Sequence, residues 1–232
     1  MLNTETIWLR WCRTSVSVFA GLTLSAASFA ATVIMPGANG SIALDNAQFA
    51  SSVLDFKLGA SSFVFSPNVA VHGPFNNATQ FGSAVLGSDL VQGLTVDGAA
   101  QDFVTLGFAK GGATIYFWEA GNLTDIADTH VLASIDGGHS FSSVVHVAPL
   151  LHVTHPLDKS SSFNTNVAIL HAADFGLPAD ASINAIRISS ASLDHADVLA
   201  VAAIPEPGSV SAVAAGLFVL TAVRAWKRRS AI

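Results

Sequence analysis

The sequence predicts an all-β protein in which a single β-sandwich domain is flanked by an N-terminal signal helix and a C-terminal transmembrane helix. Short runs of β-branched and aromatic residues, broken by Gly, Asn, Asp and Ser about every ten residues, fill the middle of the chain and predict the sandwich. The 232 residues are 51% hydrophobic but only 11% charged. Such a low charge content, with an uncharged apolar run near each end, predicts export and membrane segments.

Ten runs in the middle of the chain have the length and composition of strands. A Gly-rich connection at 109–112 predicts a hairpin between the fourth and fifth runs, and Asp136-Gly137-Gly138 predicts a second hairpin, because glycine supplies the positive φ of tight turns. Residues 45–59 form the best helix candidate, and 156–165 form a polar loop. The predicted strands are 62–65, 69–72, 90–96, 102–108, 113–118, 130–135, 141–147, 167–171, 183–189 and 197–204.

The start of the chain has the order of a secretory signal peptide. Arg10 and Arg13 precede an uncharged run, residues 14–29, that ends in small side chains. Small residues three and one before the bond that follows Ala30 make this bond the predicted cleavage site. The run of about 16 residues is short for a membrane span of about 20. An uncleaved anchor helix is the alternative.

The end of the chain has three parts in a fixed order. Pro205, Glu206 and Pro207 come first, and residues 209–223 follow without a charge. A helix from 209 to 226 is about 27 Å long at ~1.5 Å per residue, close to the roughly 30 Å of membrane hydrocarbon. The alternative is an amphipathic helix of the soluble domain. The basic residues that follow favour the cytoplasmic side and form the predicted transmembrane stop: Arg224, Lys227, Arg228 and Arg229.

This three-part order resembles the sorting tail of PEP-CTERM proteins, which are exported exosortase substrates of biofilm-forming Gram-negative bacteria. The resemblance covers residues 204–232. It implies that an exosortase-type membrane protease recognises Pro205, Glu206 and Pro207 and removes the hydrophobic tail. The protein would then be anchored in the inner membrane only transiently, before it reaches the cell surface or the extracellular polymer. The two prolines keep the motif extended, which suits a processing site.

These signals divide the chain into a signal peptide at 1–30, an extracytoplasmic domain at 31–203 and a sorting tail at 204–232. Between the basic ends, 14 acidic and 4 basic residues give a formal charge of −10. Such a domain has no basic face for phosphates, so the sequence predicts no nucleic-acid partner. Cys12 would leave with the signal peptide, and a mature protein without thiols fits an oxidising compartment.

The middle of the chain is similar, in the order of its strands, to a β-sandwich body that is common on such tails. This body is related to galactose-binding-like jelly rolls, so the similarity implies a jelly-roll-like sandwich. The runs that carry it are residues 103–119, 134–138, 186–188 and 194–201. The sequence departs from the common pattern at residues 119–122, because the acidic stretch that follows the first hairpin is shorter here than in that pattern.

Calcium is the one cofactor that the composition favours. Several aspartates fall at predicted strand ends, where loop carbonyls add oxygen ligands of the kind that calcium prefers. The alternative is that these acids only keep an acidic domain soluble and monomeric. The candidate calcium ligands are Asp125, Asp128, Asp136, Asp194 and Asp197.

Two further sets of side chains suggest ligands. Tyr116 and Trp118 are the candidate contacts for a glycan, with core packing as the alternative because they share one face of a predicted strand. His146, His152 and His155 lie close together in the sequence, but the odd spacing of the last two places them on opposite faces of a strand. The sequence therefore favours half-exposed histidines over a zinc or copper site.

No sequence motif of an enzyme is present. The chain has no Gly-x-Ser-x-Gly elbow, no cysteine in the body and only Glu119 as a glutamate there. The sequence predicts a non-enzymatic, exported protein of the cell surface or extracellular matrix, associated with exopolysaccharide and biofilm. The alternatives are a carbohydrate-binding module, and a secreted hydrolase whose Ser, His and Asp converge only in the fold.

Overall fold

The structure is a computed structural model, and it describes residues 32–37, 40–66, 69–88, 90–121, 128–148, 151–154, 164–191 and 195–205. The predicted signal peptide with its cleavage site, the tail from Glu206 onward and the calcium candidates Asp125 and Asp194 lie outside these residues. Within the described ranges, no helix is long and apolar enough to cross a membrane.

The described part of the chain consists mainly of antiparallel strands joined by loops and short 3-10 turns. All ten predicted strands overlap observed ones, and four observed strands were not predicted, namely β1, β2, β3 and β11. The strands are β1 Thr32–Gly37, β2 Gly40–Asp45, β3 Ala50–Lys57, β4 Phe63–Ser66, β5 Val69–His72, β6 Gly93–Asp97, β7 Phe103–Gly112, β8 Thr114–Ala120, β9 Thr129–Ser134, β10 Val145–His146, β11 Leu151–Thr154, β12 Asn164–His171, β13 Ile183–Ser190 and β14 His195–Ile204.

Two large sheets and one ribbon account for these strands. Five strands form one sheet in the order β10-β9-β13-β7-β3, and seven form the other in the order β11-β12-β8-β14-β6-β4-β5. Strands β1 and β2 pair only with each other. The two large sheets share one apolar core, so the predicted all-β sandwich is confirmed.

The main core lies between the five-stranded and the seven-stranded sheet. Along β7 and β13, every second side chain points into it, as expected for strands that are covered by another sheet on one face. The residues of this core include Val104, Leu106, Ile186 and Ile188 from one sheet and Leu94, Ile115, Phe117, Val198 and Leu170 from the other.

A second core lies on the opposite face of the seven-stranded sheet, beneath the β1–β2 ribbon. Met35 and Leu44 of the ribbon pack in one cluster with Trp118 of β8. The indole Nε1 of Trp118 donates a hydrogen bond to the carbonyl oxygen of Pro36 at 2.9 Å. Strand β8 is therefore buried on both faces, with Ile115 and Phe117 in the main core and Trp118 in the second core.

The predicted hairpin at residues 109–112 is wrong, because β7 and β8 belong to different sheets. Strand β7 pairs with β13 and β3, whereas β8 pairs with β12 and β14. Neither Gly111 nor Gly112 has a positive φ. A Cβ on Gly112 would lie 2.2 Å from the carbonyl carbon and oxygen of Ile204, and one on Gly111 would lie 2.4 Å from Ser182 Oγ. These glycines permit close backbone contact where the chain crosses between sheets.

The second predicted hairpin is confirmed, although its second strand is shorter than expected. Strand β10 pairs with β9, and the connection contains Gly137 at φ 76° and Gly138 at φ 88°. Only Val145–His146 forms a strand instead of residues 141–147. Hydrogen bonds continue beside the ladder, because Ser142 N donates to Ala133 O at 2.8 Å.

The predicted helix at residues 45–59 is also wrong. Asp45 caps only a short 3-10 turn, Asn46–Gln48, in which Gln48 Oε1 accepts a hydrogen bond from Asp45 N at 2.7 Å. The chain then enters β3, whose pairing with β7 shifts register between Ala50 and Ser52 and between Val53 and Asp55. Such bulges interrupt the alternation of apolar and polar residues, so the sequence pattern did not resemble a strand.

We predict that Gly112→Ala destabilises the protein by about 1–3 kcal/mol, the usual cost of overpacking a closed site. The added methyl group would press on the backbone of Ile204, which has no flexible end to move aside. Gly82→Ala is the matched control, because its Cβ would meet only Leu86 Cδ1 at an ordinary 3.6 Å. Urea denaturation measures both free energies of unfolding, and equal stability of the two variants would contradict the crossing at Gly112.

Candidate polar cleft

The loop that leads into β7 is held by the side chain of Asp102. Its Oδ2 accepts hydrogen bonds from Gly59 N and from Ser62 Oγ, both at 2.6 Å. Ser62 Oγ in turn accepts a hydrogen bond from Asp97 N at 3.1 Å. Asp102 is buried, so its carboxylate is a fixed internal link between this loop and the residues that precede β4.

A cleft of about 300 Å³ opens beside this loop, at one end of the five-stranded sheet. Antiparallel register brings its residues together, because Ser189 of β13 lies opposite Phe103 of β7 on one side and opposite His130 of β9 on the other. We call this site the polar cleft and define it by Asp102, Phe103, His130, Arg187, Ser189 and Ser190.

Three buried polar atoms of the polar cleft have no hydrogen-bond partner among the described residues. They are Asp102 Oδ1, His130 Nε2 and Ser190 Oγ. A buried polar atom left without a partner costs about 1–3 kcal/mol, and most such atoms in folded proteins are paired. All three atoms belong to residues that line the polar cleft.

Arg187 forms the cationic side of the polar cleft and is held in one orientation. Its guanidinium carbon lies 4.2 Å from the ring centroid of Phe103 and 4.5 Å from that of Phe141. Its Nε donates to Thr105 Oγ1 and its Nη2 to Asp55 Oδ2, each at 2.9 Å. Two stacked rings and two hydrogen bonds limit the motion of a side chain that is otherwise flexible.

His130 contacts a second histidine across the β9–β10 hairpin. His146 lies directly opposite it, and the two ring centroids are 4.4 Å apart. Burial lowers the pKa of His130, the charge of His146 lowers it further, and Asp128 opposes these effects. The imidazole of His130 is therefore neutral at pH 7.

The polar cleft contains Ser, His and Asp, but they do not form a nucleophile and base in contact. Ser190 Oγ and His130 Nε2 both lack a partner among the described residues, so they are not hydrogen-bonded to each other. Glu119 is fully buried and accepts hydrogen bonds from Thr129 Oγ1 at 2.8 Å and Asp197 N at 2.9 Å. The hydrolase alternative stays a prediction.

The predicted calcium ligands that the structure describes have separate hydrogen-bond partners or positions. Asp136 accepts hydrogen bonds from Ser134 Oγ at 2.7 Å and from Ser140 Oγ at 2.6 Å within its own turn. Asp197 Oδ1 accepts one from Thr95 Oγ1 at 2.5 Å, and Asp128 lies just before β9. No three His, Cys, Asp or Glu side chains of the described ranges could share a metal ion. Calcium stays a prediction.

The two aromatic residues proposed for a glycan lie in or beside the second core. Trp118 is fully buried, so its ring has no face open to a glycan, which corrects its assignment as a binding residue. Tyr116 stacks on it with ring centroids 5.7 Å apart. Tyr116 is half-buried and lines a shallow apolar groove that also contains Ile204 and Pro205.

No protein-family model matches the chain, and no curated protein matches it either. The assignment of a β-sandwich therefore rests on the strands and sheets described above. A function has to be argued from the side chains of the polar cleft and from the sequence of the tail.

We predict that the charge of Asp136 stabilises the β9–β10 hairpin at neutral pH. Hydrogen bonds from the side chain and backbone of Ser140 lower the pKa of Asp136 far below 3.8, with Ser134 and His139 adding to the effect. A carboxylate with a lowered folded-state pKa contributes stability above its unfolded pKa and loses it as the pH falls through the folded one. Asp136→Asn should therefore lower the melting temperature at pH 7.

Circular dichroism melts across the acid range measure this effect. The difference between wild type and Asp136→Asn should shrink once the pH falls below the ordinary range of aspartate. Asp180→Asn, on an exposed turn, is the matched control. A gap between wild type and Asp136→Asn that stays constant at all pH values would contradict the role of the charge.

Proposed function

We propose that this chain is an exported, non-enzymatic protein of the cell surface or extracellular matrix, sorted and processed through its C-terminal Pro-Glu-Pro tail. The observation that carries the proposal is the position of the motif directly after the last described strand. Strand β14 ends at Ile204, and Pro205, the first residue of the motif, is exposed. A protease that recognises the motif would find its first residue exposed, directly after strand β14.

Ile204, which precedes the motif, is held in place by its packing. Ile204 is the last residue of β14 to pair with β8, opposite Thr114, and its backbone lies against Gly112. The described members of the two cores lie between Val33 and Ile204, so a cut beyond Pro205 would remove none of them. Their packing would therefore be kept after release from a membrane tail.

The composition of the domain fits a location outside the cytoplasm. It contains no cysteine, and its formal charge of −10 favours solubility among other acidic polymers. Exosortase recognition, transient anchoring in the inner membrane, association with exopolysaccharide and a jelly-roll-like strand order all belong to this proposal. Each follows from the resemblance of the tail and of the strand order to PEP-CTERM proteins.

Intact-mass analysis of the secreted protein tests the proposal. In a Gram-negative host with an exosortase, the mass should correspond to a chain that starts at Ala31 and ends near Pro207. Glu206→Ala should reduce processing and leave the longer form in the membrane fraction, whereas the control Asp180→Ala should be processed normally. A secreted protein that retains residues up to Ile232, or a full-length protein that stays in the cytoplasm, would contradict the proposal.

A second candidate function is carbohydrate binding at the polar cleft. The observation that favours it is a cleft of about 300 Å³ with polar lining residues, beside the ring of Phe103 and the guanidinium of Arg187. Sugars present hydroxyl groups and an apolar face, which match such a lining. The burial of Trp118 moves this candidate site away from Tyr116 and Trp118.

We expect Ala191→Phe, which fills the polar cleft, to reduce retention of the protein on exopolysaccharide in a pull-down assay. Ala191 lines the cleft, whereas the control Ala173 lies on an exposed 3-10 turn elsewhere in the fold. Retention should fall for Ala191→Phe and stay at the wild-type level for Ala173→Phe. Equal retention of both variants would exclude the polar cleft as the glycan site.

A further inference from the structure

Two histidines that are far apart in the sequence are brought together by the β9–β10 hairpin. His130 and His146 are direct partners in the antiparallel register, and both lie eight residues from Gly138 in the connection. Opposite residues of an antiparallel pair project to the same face with Cβ atoms about 5 Å apart. Their rings accordingly touch, with centroids 4.4 Å apart and planes inclined by 78°.

The two imidazoles of this pair differ in their exposure. His130 Nε2 is buried and has no hydrogen-bond partner among the described residues, and the side chain of His146 is exposed. Burial and the neighbouring His146 lower the pKa of His130, so its imidazole keeps a lone pair at neutral pH. The negative charge of Asp128 acts on the same ring and favours a cation beside it.

We propose that His130 and His146 together bind one late first-row transition-metal ion, of the class of Cu²⁺, Ni²⁺ or Zn²⁺. Imidazole nitrogen is a ligand that these ions prefer, whereas calcium takes oxygen ligands. No third His, Cys, Asp or Glu of the described ranges completes a metal-binding group. The pair would supply two nitrogen ligands on the side where His146 is exposed, and water would fill the other positions of the ion.

The hairpin that carries the pair is well ordered by its own hydrogen bonds. Asp136 accepts hydrogen bonds from four groups of its turn, and Ser142 Oγ accepts one from Ala133 N at 2.9 Å. A hydrogen bond between backbone atoms joins Val147 N to Thr129 O at 3.0 Å, next to the histidine pair. The two imidazoles are held near each other before any ion arrives, which lowers the entropic cost of binding. This inference does not depend on the proposed sorting function.

The test is a titration of the full chain, purified in mild detergent, with CuCl₂. Cu²⁺ is the probe because it binds nitrogen sites most tightly among these ions. Isothermal calorimetry should show one site that is stronger than the background of other histidines. Electron paramagnetic resonance of the bound Cu²⁺ should show hyperfine splitting from two nitrogen atoms.

Three single variants decide the outcome. His130→Gln and His146→Gln should each weaken this site by about tenfold or more, since even the loss of a group that only supports a metal ligand costs 10–100-fold. His139→Gln, in the connection of the same hairpin, should bind as the wild type does. His146 is exposed, so its variant tests the site even if His130→Gln unfolds.

Loss of the strong site in both pair variants, with retention in His139→Gln, would support the proposal. Wild-type affinity in His146→Gln would overturn it, because binding would then not need the pair. A signal from a single nitrogen in the wild-type protein would overturn it as well.

Discussion

The backbone of Gly112 lies against the backbone of Ile204, and this contact determines how the chain is divided between the two sheets. At this point the chain leaves β7, an interior strand of the five-stranded sheet, and enters β8, an interior strand of the seven-stranded sheet. No side chain fits there, because a Cβ would lie 2.2 Å from the Ile204 carbonyl. With this crossing in place, β7 and β8 face each other across the main core, and β8 is free to bury its other face beneath the β1–β2 ribbon.

The same contact holds the last residue of β14, and the polar cleft lies at the opposite end of β7. Ile204 is held at the crossing, directly before Pro205, the first residue of the motif on which the proposed processing rests. Strand β7 begins at the polar cleft, where Asp102 and Phe103 meet β13 and β9. The polar cleft and the histidine pair share His130, so a metal ion on the pair would lie next to a bound glycan if the second candidate function holds.

The sequence predicted the strands of the sandwich well but not their partners. Alternation in β7 and β13 marks them as strands, yet Leu106 and Ile186 pair across 80 positions, which local periodicity does not record. Gly111 and Gly112 were interpreted as turn residues, although they serve close backbone contact. Strand β3 was missed because two bulges interrupt its pattern. Of the candidate site, the pairing of His130 with His146 was within reach of the sequence, because both are equally distant from Gly138, whereas Asp102 and Ser190 meet only in the fold.

Nuclear Overhauser contacts between backbone Hα protons test the crossing at Gly112 most directly. We expect cross-strand contacts between Ile183 and Gly112, which are register partners in the five-stranded sheet, and between Ile204 and Thr114, which are register partners in the seven-stranded sheet. We expect no ladder of contacts between β7 and β8. A continuous ladder that joins Phe108 and its neighbours to Thr114 and its neighbours would show a simple hairpin and would contradict the crossing.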